Sequence, residues 1–315
     1  MNFKQIGPNK VSSMTIGTVQ LGLNYGIANN GGQPDEAKSF SMLRAAFENG
    51  ITSLDTARAY GNSEDVIGRF LKTWEGPLPY ITTKVPQHSN SQSETSLEAH
   101  VINSVETSLE RLGVKKVNAV MLHNVADMYA YGNEIADVMQ GLIRRGYTDQ
   151  VGVSGYVKED VDEMLKYPQY NVTQVPMSIF DQRLIASGAT MNLKNADYTV
   201  FVRSVFLQGL FFLDPDKIED PILVEHAAPK IRILREIAKA EGMSIAQLAI
   251  AFMRDTAGVT SLVLGADTPD QVRENIAYFD APALDKKVME RLQKEFAFVD
   301  IPEIMKVLSR PKPQK

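Results

Sequence analysis

Leu54-Asp55-Thr56-Ala57-Arg58-Ala59-Tyr60-Gly61-Asn62-Ser63-Glu64 follows directly on the short apolar run Ile51–Leu54. A helical pattern precedes that run, with Phe40, Leu43, Ala46 and Phe47 at i, i+3 and i+4 spacing. Gly50 stands where a helix C-terminal glycine is expected. A second helical pattern begins at Asp65 and runs to Trp74. An acid, Asp55, and a phenol, Tyr60, are therefore expected just past the end of a strand, with Gly61 to turn the chain. In a barrel of alternating strands and helices, that edge is where catalytic groups collect.

The same alternation extends outward in both directions. Strands are predicted at Met14–Thr18, Thr52–Leu54, Tyr80–Lys84, Ala119–His123, Gly152–Ser154, Thr173–Val175, Thr199–Arg203 and Ser261–Leu264. Helices are predicted over 34–49 and near 64–74, 95–112, 133–145, 158–166, 228–241 and 244–256. The stretch Leu184 to Leu193 reads as a short helix or a loop. Strands alternating with helices argue a parallel sheet, and eight of them argue a closed (β/α)8 TIM barrel in the α/β class. Asn2–Ser13, with Gly7-Pro8-Asn9 at its centre, reads as an N-terminal hairpin or flap. Leu21–Pro34 and Leu207–Glu225 read as loops. A C-terminal helical tail is expected after Asp280, at Lys286–Phe296 and Ile301–Leu308, ending in the polar stretch from Arg310 to Lys315. The expectation is one barrel domain over residues 1–315.

Composition excludes several functions. The chain of 315 residues is 44% hydrophobic and 23% charged, ordinary for a globular protein with a large core. A net charge of −5 gives no electrostatic footprint for nucleic acid or an anionic membrane. Cysteine is absent, which removes disulfides and thiolate chemistry and agrees with a cytoplasmic location. No signal-peptide core and no apolar run of about 18 residues is seen. No cluster of His, Asp and Glu has metal-ligand spacing, and His88, His100 and His226 read as surface residues.

Asp55, Tyr60, Lys84 and His123 fall at the C-terminal ends of the second, third and fourth barrel strands, so they can converge. A carbonyl that accepts hydride develops negative charge on oxygen and needs a proton. A tyrosine with an unperturbed pKa near 10 is a poor acid–base group at neutral pH. A lysine ammonium beside it favours the phenolate, and an aspartate holds that lysine charged and in place. A histidine can orient the carbonyl oxygen.

These residues resemble the catalytic tetrad of the aldo-keto reductase family. The family's D-x-A-x-x-Y-G-x-S-E stretch is matched by Asp55, Ala57, Tyr60, Gly61, Ser63 and Glu64, its lysine by Lys84 and its histidine by His123. The likeness runs from Gly17-Thr18 to Glu274-Asn275. It implies reversible carbonyl reduction with an extended nicotinamide cofactor, NAD(H) or NADP(H), across the barrel mouth. It also implies that Gly17 and Thr18 border the cofactor and that Ser154 and Gln174 hold the carboxamide. Ser204, Leu207 and Gly209, in RSVFLQG, stand at the pyrophosphate motif. Gly265, Asp267, Gln271, Glu274 and Asn275 form the adenosine clasp. Gly155 departs from the family's usual Asn, and Arg203 stands where an aromatic ring usually stacks on the nicotinamide. A guanidinium plane can also stack on a ring; pairing with a carboxylate is the alternative. Asp267, near the start of the clasp, repels a phosphate but can accept hydrogen bonds from a ribose 2′-hydroxyl, which favours NAD(H).

The partner expected is a small-molecule carbonyl compound or sugar, with Gln20, Asn24, Tyr25, Arg58, Asn124 and Arg183 as walls. Tyr80-Ile-Thr-Thr-Lys84 has the Tyr-x-x-x-Lys spacing of short-chain dehydrogenases, but on a strand the two side chains stand about 13 Å apart. Two further readings stay open. The family includes channel-associated members, so a nicotinamide-binding regulatory subunit is one. A (β/α)8 isomerase or lyase using Lys84 as a Schiff-base amine is the other.

Overall fold

The computed structural model describes residues 1–26, 32–88 and 96–310. Part of the expected 21–34 loop, Thr95 of the expected 95–112 helix, and the polar stretch 311–315 lie outside the described residues.

The chain opens with an antiparallel hairpin of β1 (Phe3–Ile6) and β2 (Asn9–Ser12). Parallel strands then close into a barrel: β3 (Met14–Gly17), β4 (Ser53–Asp55), β5 (Tyr80–Val85), β6 (Ala119–Leu122), β7 (Gln150–Ser154), β8 (Val172–Pro176), β9 (Thr199–Arg203) and β10 (Ser261–Leu264). Each pairs with the next, and β10 pairs with both β9 and β3. All eight lie within two residues of the predicted strands.

Side chains alternate across each strand, and the sequence uses that period. Ile16, Leu54, Ile81, Val120, Leu122, Val151, Val153, Val200 and Val202 point outward into the main core under the helices. The inward set is smaller or polar. Thr15 Oγ1 lies 2.7 Å from the hydroxyls of both Ser53 and Ser261 across the lumen. Below that layer, Tyr80, Ala119, Met121, Val172 and Phe201 form a separate apolar floor, and Val11 of the hairpin packs into it. The hairpin thus stoppers the N-terminal end, and the site is left to the opposite mouth. Tyr80 belongs to the floor, where its hydroxyl donates to Gln150 Oε1, while Lys84 lies at the far end of β5.

Outer helices form where amphipathic stripes meet caps. In Leu97–Leu112 the buried stripe is Leu97, Val101, Val105, Ser108, Leu109 and Leu112. Ser96 accepts from Ala99 N–H at its start, and Gly113 ends it at φ +68. The expected loop 207–225 instead carries a 3-10 helix, Leu207–Phe212, and a short helix, Pro221–His226, capped by Asp220. Leu184–Leu193 resolves into Arg183–Ala186 and Ala189–Asn195, broken at Gly188 with φ +75. Two more helices, Ala126–Tyr131 and Pro269–Tyr278, have no counterpart in the sequence reading. The tail helices Lys286–Glu295 and Ile301–Leu308 are present, and Phe296 stacks on Phe180 at 5.1 Å. Among the described residues no helix is long and apolar enough to cross a membrane.

One crossing at the mouth fixes the loop after β4. The short helix Val19–Gly22 runs against Tyr60-Gly61 with backbone touching backbone. A Cβ on Gly22 would lie 1.8 Å from the Tyr60 carbonyl oxygen, and one on Gly61 would lie 2.3 Å from that of Gly22. Gly61 also has φ +55, in the region that disfavours side chains. Thr18 Oγ1 donates to the Asp55 carbonyl at 2.8 Å, and Ser63 Oγ donates to that of Thr18 at 2.9 Å. Gly22→Ala is therefore expected to destabilise the protein by about 1–3 kcal/mol, the usual size of an overpacking penalty. Urea denaturation measures it; an unchanged midpoint would refute the contact.

Candidate active site

Asp55 is the last residue of β4 and, at 3% exposure, is buried. Lys84, on β5, is 1% exposed. Parallel register sets Asp55 beside Thr82 and Lys84 beside Met121, so both side chains point inward at the mouth. The Lys84 ammonium donates to Asp55 Oδ1 at 2.6 Å, to the Thr56 carbonyl at 3.0 Å and to the Tyr60 hydroxyl at 3.4 Å. Gln174 Nε2 also donates to Asp55 Oδ1, at 2.8 Å. The His123 ring stands edge-on to Tyr60, 5.6 Å between centroids. The structure thus brings Asp55, Tyr60, Lys84 and His123 together.

Burial works against the Lys84 charge, but Asp55, followed by Tyr60, outweighs it, and the pKa of Lys84 is raised. Burial also dominates at Tyr60. Lys84 pulls its pKa down as expected, yet the net shift is upward, so Tyr60 is a protonated phenol at neutral pH. Burial, then the Lys84 and Arg203 charges, lower His123 to about 4, leaving it neutral. The motif's other two polar residues serve the loop. Glu64 is buried and accepts from Thr83 at 2.7 Å and from Arg58 at 3.2 Å, and Ser63 anchors Thr18.

A continuous cleft of about 570 Å³ runs from this group across the mouth. Most of the residues singled out for a cofactor line it. Gly17, Thr18, Ser154, Gln174 and Arg203 stand near the reaction end, then Ser204 and Gly209, then Gly265, Asp267, Gln271, Glu274 and Asn275. Leu207 does not line it; its side chain is buried in the main core. The chain there is strained, with φ of +65 at Ser204, +46 at Leu207 and +57 at Gln208. Two clasp residues also order their own loop. Gln271 Oε1 accepts from Asp267 N–H at 2.6 Å, and Asn275 Nδ2 donates to the Gly265 carbonyl at 3.2 Å. At Gly155 a Cβ would lie 2.8 Å from Met164 Cε, so a larger side chain there would displace Met164.

The walls differ from the sequence reading. Gln20 and Tyr25 line the cleft, but Arg58 and Asn124 do not. Arg58 is held by Glu64, and Asn124 is engaged with Gln87 and the Ala126 N–H. Arg183, paired with Asp181 at 2.7 Å, also stays away. Gln20 packs against Gly265, where a Cβ would meet its Nε2 at 2.1 Å. Aromatic rings missed from the sequence take the vacated roles: Tyr156, Phe206, Phe212 and Tyr278. Their signal was position alone, within a few residues of Ser154, Ser204, Gly209 and Asn275. His88 and His100 are not separate surface residues; their rings meet at 5.1 Å. No group that could hold a metal is found among the described residues.

Known proteins resemble most of this chain. The Aldo/keto reductase family model matches residues 13–295, and the chain belongs to that family. It is 24% identical over 310 residues to L-glyceraldehyde 3-phosphate reductase of Escherichia coli K12, covering 87% of this chain and 88% of that one. It is 28% identical over 316 residues to a putative voltage-gated potassium channel subunit beta of Schizosaccharomyces pombe, covering 90% and 89%. The glycerol dehydrogenase structure from Gluconobacter oxydans shares the fold at a TM-score of 0.78 and 22% identity, covering 99% of this chain and 98% of that one.

The depressed His123 pKa has a testable sign. An unfolded histidine takes up its proton near pH 6.5, the folded one only near pH 4. Between those values the unfolded chain binds more protons, so stability falls as pH drops through this window. The prediction is that His123→Asn flattens that part of the stability–pH curve, read by urea denaturation at pH 7 and 4.5. Equal slopes in the two proteins would refute it.

Proposed function

We propose that this chain interconverts a small carbonyl compound (an aldehyde, a ketone or a sugar) and its alcohol in the cytoplasm, with a bound nicotinamide cofactor and Tyr60 as the acid–base group. The observation that carries the reading is the Lys84 ammonium, 2.6 Å from Asp55 and 3.4 Å from the Tyr60 hydroxyl, at one end of a continuous cleft. The residues present fit such a cofactor. Gln20 Oε1 and Arg203 Nη2 are buried at the cleft with no hydrogen-bond partner among the described residues, and Gly17, Gly209 and Gly265 line it. Ser154 and Gln174 would hold the carboxamide and Arg203 would stack on the ring. Ser204 and Gly209 would meet the pyrophosphate, and Glu274 and Asn275 the adenine.

When bound, the nicotinamide supplies or takes up the hydride. In reduction, the Tyr60 phenol gives its proton to the carbonyl oxygen. Its raised pKa keeps that proton available at neutral pH. Lys84 then faces the phenolate and compensates its charge, and Asp55 holds Lys84. Neutral His123, beside Tyr60, orients the substrate oxygen. In oxidation Tyr60 must first ionise, so that direction is favoured by alkaline pH.

Asp267 and Glu274 place acidic groups at the far end of the cleft, while Arg273 is paired with Asp270 at 2.7 Å and does not line it. This supports a preference for NAD(H), since a 2′-phosphate would meet like charge. A second reading draws on the similarity to the channel subunit: a nicotinamide-binding regulatory subunit whose catalysis is secondary.

Tyr60→Phe is expected to lower kcat by roughly 10²–10⁴-fold, the usual size of an acid–base contribution, while cofactor still binds. Unchanged turnover would refute the role of Tyr60. A panel of aldehydes, ketones and sugars, followed by nicotinamide absorbance, separates the enzyme from the regulatory subunit. Calorimetric titration tests the cofactor: NADH is expected to bind more tightly, and NADPH binding tenfold tighter than NADH would overturn the preference.

A further inference from the structure

Arg203 is the unusual group in the cleft. It ends β9, in register with Pro176 and one strand over from Gln174. Its guanidinium carbon lies 4.6 Å from the centroid of the Tyr156 ring. Its Nη2 is buried and meets no acceptor among the described residues. A buried donor without an acceptor, and above all a cationic one, is costly to maintain and is rare in folded proteins. Stacking on Tyr156 holds the plane of the guanidinium but satisfies none of its N–H groups, which radiate from its edge.

The charges around the cleft are uneven. At the reaction end, Asp55 and Lys84 neutralise each other, and Arg203 is left as the surplus. The far end carries Asp267 and Glu274. The charge of Arg203 acts downward on the pKa of both Tyr60, which burial nonetheless raises, and His123, which places it with the reacting groups rather than with the clasp.

We propose that Arg203, its plane fixed by Tyr156, is a specificity-determining residue that binds a carboxylate or phosphate on the carbonyl substrate through its free edge. The inference rests on the carbonyl–alcohol reading above and names the substrate class: an anionic aldehyde or ketone. A guanidinium fork matches either oxyanion, and such charge-assisted bonds are about twice as strong as neutral ones. The aromatic rings of Tyr25, Tyr156, Phe206 and Phe212 bound the same cleft.

Matched aldehydes test the proposal on the full chain with each nicotinamide cofactor. Succinic semialdehyde is compared with butyraldehyde for a carboxylate, and glyceraldehyde 3-phosphate with glyceraldehyde for a phosphate. The wild type is expected to favour the charged member of one pair in kcat/KM by about tenfold or more, the order of a charge-assisted bond. Arg203→Gln is expected to abolish most of that ratio, with Arg203→Lys between the two. The pair that responds tells carboxylate from phosphate. No preference in the wild type, or an unchanged ratio in Arg203→Gln, overturns the inference while turnover leaves the carbonyl reading standing. Weaker NAD binding with an unchanged ratio assigns the cation to the cofactor pyrophosphate and also overturns it. If neither these aldehydes nor any member of the wider panel of ketones and sugars is turned over, the carbonyl reading fails. Malonate and inorganic phosphate titrated by calorimetry into the NAD-saturated protein then decide the anion site: binding lost in Arg203→Gln supports it, and binding absent or unaffected overturns it.

Discussion

The ion pair between Lys84 and Asp55 is the constraint on which the rest of the site depends. Both groups are almost wholly buried, so each has lost its hydration, and the loss is tolerable only because their contact is 2.6 Å and further bonds complete it. The Thr56 carbonyl accepts a second hydrogen bond from Lys84, and the Gln174 amide supplies Asp55 with a second donor. The pair itself joins adjacent strands, β4 and β5, while the Gln174 bond comes from β8 on the opposite side of the barrel. Removing one partner would strand the other in a low-dielectric interior, whereas keeping both leaves one ammonium face turned to Tyr60.

That arrangement settles a balance that residue types alone leave undecided. A lysine beside a tyrosine argues for a depressed phenol, and Lys84 does act in that direction. The depth at which the pair sits also takes Tyr60 partly out of water, and that desolvation is the larger effect. The phenol therefore keeps its proton, and the imidazole beside it is neutral, with one N–H left to donate.

The barrel was legible because its period repeats. The strands set an outward face rich in Val, Ile and Leu against an inward face that is apolar at the floor and small, polar or functional above it, and several of the helices between them start at recognisable caps. Asp55, Lys84 and His123 were legible for the same reason, since their positions on successive strands imply convergence. The walls obeyed no such rule. Arg58 and Asn124 sit in loops beside the site, but Glu64 captures the first and the Ala126 N–H the second. Short helices such as Ala126–Tyr131 and Pro221–His226 are stabilised by tertiary packing and show too few turns for a periodic signal. Tyr156 and Phe212 were invisible because an aromatic residue in a loop carries no mark of the direction it will face.

The crossing of Gly22 and Gly61 has a consequence for how the mouth can diversify. At the glycines the two loops meet backbone against backbone, and the side-chain bonds that brace the crossing come from Thr18 and Ser63 rather than from the rim. Residues next to it, Leu23, Asn24 and Tyr25, can therefore be exchanged without releasing the grip on Tyr60. The rim of the mouth is free to change its chemical character over evolutionary time while the proton donor stays where the barrel put it. The glycines themselves are the hinge pins of that freedom: an engineer altering substrate scope would vary the neighbours and leave positions 22 and 61 alone.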